Sequence, residues 1–428
     1  MTAKTNDAML TDLSIAGAHP NAAEPKVEAS GLEDVLAATT RLSDVDGAAG
    51  RLLIAGVPVE ELAGRVTFED AIHLLWTGRE PSSTERAQIR TLLGEARETA
   101  FERLGDLGDA LAMPDAMDAL RAAAGHLVST EIDRKSSTVD PARGDRVDGL
   151  DRLEPALRII GALAVFAAAW ARQPAPLRPD PEASHAADYL RMATGRVPSA
   201  HDVDALDAYL VTVIDHGMNA STFAARVVAS TASDTVSAIV AALGALKGKL
   251  HGGAPGPVLD MLDAIGTPAA ARGWLERALS RGERIMGMGH RVYRVRDPRA
   301  FVLERAIGRL EAARDRGGRA GDDAAAARIE GAPAAHADIG ERLRLARAVE
   351  REAEALLAAR HPERALRANV EFYTAVLLEA VGLPRALFTP TFAVGRAAGW
   401  SAHIEEQRAA GRLIRPKSRF VHAPPLAR

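Results

Sequence analysis

The sequence predicts a mainly α-helical protein, and three observations carry that prediction. Hydrophobic residues make up 47% of the 428 positions while aromatics make up 4%, so the core is built mostly from Ala, Leu and Val. That composition favours helix over sheet. From residue 68 onward, apolar residues recur at helical spacing between capping residues and glycine stops. The one good strand candidate lies near the N-terminus. The length suits one large or two to three ordinary domains.

Taken in order, residues 1–30, with Pro20 and Pro25, read as a flexible lead-in. Leu42–Gly47 ends in Asp-Gly, a tight-turn signal, and Arg51–Gly56 follows as the strand. Two aspartates beside a glycine also hint at calcium, but the rest of an EF-hand loop is missing and a turn suffices. Thr67 is placed to cap a helix over Phe68–Thr77, and Ser83 or Thr84 to cap one over Glu85–Leu104. Ile159–Ala171 is strongly apolar but falls short of the roughly 18–20 residues that span a bilayer, so it reads as a buried helix. Pro174–Pro181, with four prolines, reads as an exposed loop.

Asp234-Thr235 opens a helix over Val236–Leu246, with Gly248 beyond its end. Gly317–Gly340 is rich in Ala, Gly and Asp and reads as a mobile insertion. Residues 341–360 interleave Glu and Arg as in a helix with a solvated face. Ala368–Val381 is a last helix stopped by Gly382 and Pro384. No internal repeat is evident.

The formal charge is −4, from 53 Lys+Arg and 57 Asp+Glu. No basic excess points to nucleic acid or an anionic membrane. Six lysines stand against 47 arginines, which reads mainly as compositional bias, with some arginines available to grip carboxylates or phosphates bidentately. Cysteine is absent, which removes disulfides, thiolate metal sites and a thiol nucleophile and fits a cytoplasmic location. Met1–Ala8 leads into no apolar run, so no targeting signal is expected. Neither a metal nor a redox cofactor is called for.

Several motifs fail. Gly244–Leu250 is one residue short of a phosphate loop and ends in Leu; Gly287-Met-Gly289 lacks the third glycine of a dinucleotide fingerprint; no zinc-protease helix occurs. What survives is a set of polar clusters in Ala-rich surroundings: Asp215-His216-Gly217, Leu250-His251-Gly252, Gly287–His290 with Arg291 and Arg294, Asp297-Pro298-Arg299, Asn369-Val370-Glu371, Arg396, and Arg415-Pro416-Lys417-Ser418. Singly, each has an ordinary structural explanation: a histidine in a glycine loop, a carboxylate complementing a helix dipole, an arginine in a surface ion pair. Together they offer a base, several hydrogen-bond donors and anion clamps. That set suits carbon–carbon bond formation on a polycarboxylate, where a base removes a proton beside a carbonyl while donors hold the enol oxygen.

In this order and spacing, from about Gly31 to about Pro416, these clusters resemble the citrate synthase family. The resemblance implies an all-α fold of two helical domains in a homodimer, with the active site in the interdomain cleft. It implies a large domain over residues 31–253 and 384–428 and a small one over residues 254–383. Cytoplasmic condensation of acetyl-CoA with oxaloacetate, as in the tricarboxylic acid cycle, is the implied activity, with induced closure of the cleft on oxaloacetate.

By the same resemblance, His251 hydrogen-bonds the thioester oxygen as the enol forms, Glu371 takes the methyl proton, and His290 donates to the oxaloacetate carbonyl. His216, Arg299 and Arg396 hold oxaloacetate. Arg415 reaches across a dimer interface, and Arg294 with Gly287 and Gly289 serves CoA. The family's base is usually aspartate; a glutamate marks a bacterial variant and puts the base geometry in question. A 2-methylcitrate synthase using propionyl-CoA shares all these marks. A non-catalytic paralogue, acting as a binding or regulatory module, is the alternative from another class.

Overall fold

The computed structural model describes residue 32 and residues 35–133, 150–253, 255–317 and 339–418. The expected lead-in and residues 318–338 of the expected insertion lie outside the described residues. The chain groups into two units, Met1–Thr39 and Thr40–Arg428. The second holds every helix and strand among the described residues.

It opens with β1 (Ser43–Asp46) and β2 (Arg51–Ile54), an antiparallel hairpin in which Asp46 faces Arg51, extended by the two-residue β3 (Val57–Pro58). The Asp-Gly turn is built as expected: Asp46 Oδ1 accepts from the backbone N–H of Ala48 and Ala49, the self-capping habit of Asp in turns.

Helices make up nearly all the rest. The short α1 (Val59–Leu62) precedes α2 (Phe68–Thr77), which Thr67 caps through the N–H of Asp70 as expected. α3 spans Ser83–Glu102, and here the expected cap is corrected. Ser82 is the cap, because Glu85 lies three residues on and completes a capping box. α4 (Ala116–Gly125) and α5 (Ser129–Ile132) lead to α6 (Leu150–Ala171). Its Arg152–Ala171 stretch is apolar enough to cross a membrane by composition, yet 78% of it is buried. It is a core helix, packed against α3 and α4.

α7 (His185–Thr194) and α8 (Ala200–Val213) follow the proline-rich loop, which is less exposed than expected. Pro179 is buried. Arg97 of α3, itself fully buried, donates to the carbonyls of Asp180 and Ala183 (3.0 Å each) and to Asp188 Oδ2 (2.7 Å). That pairing makes Arg97 structural.

α9 (Ala220–Ser230) and α10 (Thr235–Leu246) form an antiparallel pair, the second capped by Asp234. Then come α11 (Pro255–Ile265), α12 (Ala271–Ser280), α13 (Pro298–Gly317), α14 (Ile339–Arg360) and α15 (Val370–Ala380). α14 buries Leu343, Val349 and Leu357, and not all of its charged residues face solvent as expected: Arg342 bonds Glu379 and Glu350 accepts from the Tyr373 hydroxyl, both partners on α15. α15 begins two residues later than expected because Asn369 is its cap. The closing α16 (Phe388–Ala410) packs on α6 and α9.

Candidate active site

Four loops and three helices converge on one polar cluster: Arg299 comes from α13, Glu371 from α15 and Arg396 from α16. The Gly287–Gly289 strip runs antiparallel to residues 367–369: Gly289 N–H donates to Arg367 O (2.7 Å), Asn369 N–H to Gly287 O (2.9 Å), and Asn369 Nδ2 to Gly289 O (2.8 Å). Both glycines have positive φ, and a Cβ on Gly287 would strike Phe372 at 2.9 Å. Only glycine permits both the backbone turn and the close approach. This pairing sets His290 beside the start of α15, where Glu371 sits.

The histidines are fixed by their partners. His290 Nδ1 accepts the backbone N–H of Val292 (3.0 Å) and Tyr293 (3.1 Å), so its proton resides on Nε2. Arg299 Nη2 lies 3.4 Å from that Nε2. Two donors cannot bond one another; they converge on a position for an acceptor. His216, buried, lies 5.6 Å ring to ring from both His290 and Tyr293, with Nε2 3.1 Å from the Tyr293 hydroxyl. Burial, then the cationic Arg299, holds His216 well below the ordinary imidazole range. Burial also lowers His251 and His290, each to about 4, and nearby arginine charge adds to it. All three are neutral at physiological pH.

The arginines differ in kind. Arg299 is nearly fully buried and forked onto Asp297, Nε to Oδ1 at 3.0 Å and Nη2 to Oδ2 at 2.8 Å. Asp297 also accepts the Val370 N–H (3.1 Å), tying that fork to α15. Among the described residues, no carboxylate is hydrogen-bonded to Arg396. Its Nε donates to Val213 O (2.5 Å), its guanidinium lies 4.6 Å over the Phe392 ring, and its buried Nη2 has no partner among the described residues. Burial lowers it to about 10, so it remains a cation.

Glu371 is 8% exposed, with Oε2 buried and without a hydrogen-bond partner among the described residues. Burial raises its carboxyl to about 7; the charges of Arg299 and Arg396 oppose the rise and Asp297 adds to it. A carboxylate tuned to neutrality is the behaviour of a general base.

His251 leans on α9. Its Nε2 is 2.8 Å from Ser221 Oγ, which also receives Trp400 Nε1–H (3.1 Å) and donates to Asn219 Oδ1 (2.8 Å). Its ring meets Phe392 edge-on at 6.4 Å.

Of the expected residues, the structure brings His216, His290, Arg299, Arg396 and Glu371 into one cluster, with His251 joined to it through Phe392. Gly287 and Gly289 shape its floor, and the Gly289 N–H is taken by Arg367. Arg294 is exposed at the rim, its own N–H donating to Gly47 O (2.8 Å). Arg415 is exposed on the tail after α16. The tail is anchored by Ile414 N–H to Ser230 Oγ (3.0 Å) at the far end of α9, roughly 14 Å along that helix from Ser221. It therefore does not reach this cluster within the chain. Sequence reasoning missed Ser221, Tyr293 and Phe392 as partners; a serine five residues after His216 carries no signal until α9 turns it toward His251.

A citrate synthase C-terminal domain family matches residues 31–417. The chain is 38% identical over 403 residues to the citrate synthase of Haloferax volcanii, covering 91% of this chain and 95% of that one. It is 35% identical over 395 residues to a 2-methylcitrate synthase of Mycobacterium tuberculosis, covering 91% and 89%. The structure resembles citrate synthase from Thermotoga maritima (TM-score 0.72, 30% identity, 93% and 97% covered). It also resembles a ternary complex of carboxymethyl coenzyme A and oxaloacetate with citrate synthase from Thermoplasma acidophilum (TM-score 0.73, 25% identity, the same coverage). With a family match over nearly the whole chain and relatives above 30% identity along it, the chain belongs to the citrate synthase family.

Proposed function

We propose that this site condenses acetyl-CoA with oxaloacetate and hydrolyses the resulting citryl-CoA to citrate and CoA. The observation that supports it best is the convergence of His290 Nε2–H and Arg299 Nη2 in one cluster with Arg396 Nη2, which has no partner among the described residues, and with a carboxyl raised to about 7. Arg396 Nη2 has no acceptor among the described residues, and Arg299 Nη2 keeps one hydrogen beyond the one given to Asp297 Oδ2, which suits a ligand that brings its own carboxylates and carbonyl.

In this reading His216, Arg299 and Arg396 hold the oxaloacetate carboxylates, because the guanidinium fork matches a carboxylate with two hydrogen bonds. Glu371 takes a methyl proton from acetyl-CoA. A thioester methyl is a very weak acid, so the enol oxygen needs a donor at the same moment, and His251 Nδ1–H supplies it. One such donor typically contributes ~2.7–4 kcal/mol. For Nδ1 to carry the proton, Ser221 turns its single hydrogen from Asn219 Oδ1 to His251 Nε2, and Asn219 Oδ1 keeps the Thr222 N–H (3.1 Å). The enol carbon attacks the oxaloacetate carbonyl, whose oxygen gains negative charge against His290 Nε2–H. Water then cleaves the thioester, releasing CoA.

Further parts of the reading are the cleft between a large domain (31–253 and 384–428) and a small one (254–383), closing on oxaloacetate; CoA held beside Arg294 at the rim; and a cytoplasmic homodimer in which Arg415 completes the partner's site. Glu371 in place of aspartate is consistent with a working base, since its carboxyl is buried within the cationic cluster. No resident metal or cofactor enters the scheme.

The similarity to a 2-methylcitrate synthase keeps propionyl-CoA as a second reading. Initial rates of CoA release with oxaloacetate and either acyl-CoA decide between them. The expected result is a higher kcat/KM for acetyl-CoA; a clear preference for propionyl-CoA makes the protein a 2-methylcitrate synthase. Release with neither would favour a non-catalytic paralogue.

A further inference from the structure

The Asp215-His216-Gly217 turn is clamped from two sides by residues that take no part in the proposed condensation. On one side stands Ser43 of β1. It receives the Gly217 N–H at 2.8 Å and donates its own hydrogen to Asp215 Oδ2 at 2.5 Å. On the other side stands His403 of α16, fully buried, with Nε2 3.2 Å from each oxygen of the Asp215 carboxylate. Arg226 of α9 lies behind it and donates to His403 Nδ1 at 2.7 Å. A guanidinium is only a donor, so Nδ1 carries the lone pair and Nε2 the hydrogen, which is directed to Asp215. Arg226 is fixed in turn by Gln407 Oε1 (3.0 Å) and Glu406 Oε2 (3.1 Å).

A fully buried carboxylate is costly to keep unless it is surrounded by donors. Burial opposes the charge on Asp215, yet His403, Arg396 and Ser43 together hold its carboxyl below the ordinary range. Two features connect that charge to the site. Asp215 precedes His216 in the chain. It also acts electrostatically on Arg396, whose Nε bonds Val213 O in the same stretch while, among the described residues, no carboxylate bonds the guanidinium directly. α16 reaches the turn only because Gly399 faces it; a Cβ there would meet Ile214 O at 2.3 Å and Asp215 Oδ1 at 2.8 Å.

We propose that Asp215, clamped by Ser43 and by the Arg226–His403 pair, is a positioning residue for the dicarboxylate substrate. It fixes His216 and supplies the counter-charge of Arg396 from behind, which leaves Arg396 Nη2 free for a substrate carboxylate. The inference rests on the reading that His216 and Arg396 hold oxaloacetate.

The test compares Asp215→Asn, Ser43→Ala and Ser43→Thr with the unaltered protein in steady-state assays. Asp215→Asn is expected to raise the KM for oxaloacetate about 10- to 100-fold, the loss associated with a hydrogen bond to a charged group, while moving the KM for acetyl-CoA by no more than about twofold. Ser43→Ala shifts the same KM by roughly 3- to 10-fold, and Ser43→Thr, which keeps the hydroxyl in a strand that tolerates β-branching, restores it. An unchanged oxaloacetate KM, or an equal rise in both KM values that threonine does not rescue, overturns the proposal. Should Asp215→Asn fail to fold, the serine pair decides. CoA release that does not depend on oxaloacetate in the unaltered protein is a different failure, since it removes the reading of the site itself.

Discussion

The proposed base, Glu371, is a single buried carboxyl. Its raised proton affinity comes from burial, resisted but not overcome by Arg299 and Arg396. The base works only as carboxylate, so kcat/KM for acetyl-CoA is expected to rise with pH, with a midpoint near 7 in the free enzyme. Well below that midpoint the rate falls about tenfold per pH unit. His251 and His290, each held near 4 by burial, are neutral throughout and add no second limb in that range. A pH–rate profile that is flat between about pH 5.5 and 8.5 would contradict the assignment of Glu371. The catalytic candidates are readable because each lies in a short cluster: His216 beside Asp215, His290 between glycines and arginines, Glu371 behind Asn369. Their supports are not. Ser43 and His403 reach Asp215 across 172 and 188 positions, and nothing local marks a serine in a strand or a histidine in a helix as partner to a distant aspartate.

Among the elements, the contact of α3 with α6 shows how an Ala-rich sequence makes a core. Gly161 of α6 lies against Ala96 and Arg97; a Cβ there would come within 2.8 Å of the Ala96 Cβ and 3.1 Å of two backbone atoms of α3. Gly→Ala inside a helix ordinarily gains up to about 1 kcal/mol, but backbone cannot yield as a side chain does. Overpacking is expected to win, so Gly161→Ala lowers stability by about 1–3 kcal/mol in denaturant unfolding. A more stable variant would mean that the two helices can separate without cost. The caps Thr67 and Asp234 are legible because each directly precedes an apolar run. Ser82 is harder to single out because three hydroxyl residues stand together, and only Glu85, three positions on, identifies which one closes the box. The proline-rich loop misleads for a different reason: four prolines predict a loop correctly, but the buried Arg97 that draws it inward lies in another helix.

At the scale of the whole molecule, Arg415 stands apart from the other candidates, exposed and on a tail anchored to the far end of α9. If that arginine serves a partner's site, defects can complement. Arg415→Ala and Glu371→Gln proteins, each of low activity alone, are expected to regain about a quarter of full activity when unfolded together and reassembled. Half of the dimers then pair the two variants, and one site in each of those is intact. No recovery, with dimers demonstrated in the mixture, would confine Arg415 to its own chain. The helical class is legible in composition and periodicity, whereas the assembly is not, because a surface residue's future partner leaves no trace in local pattern.

The most direct test of the central claim is CoA release by Glu371→Gln measured beside oxaloacetate binding. The amide keeps the size of the side chain and removes the base. Turnover is expected to fall by about 10³-fold or more, with the dissociation constant for oxaloacetate changed by no more than about threefold. Turnover close to that of the unaltered protein would show that Glu371 is not the base and that the cluster works by another arrangement.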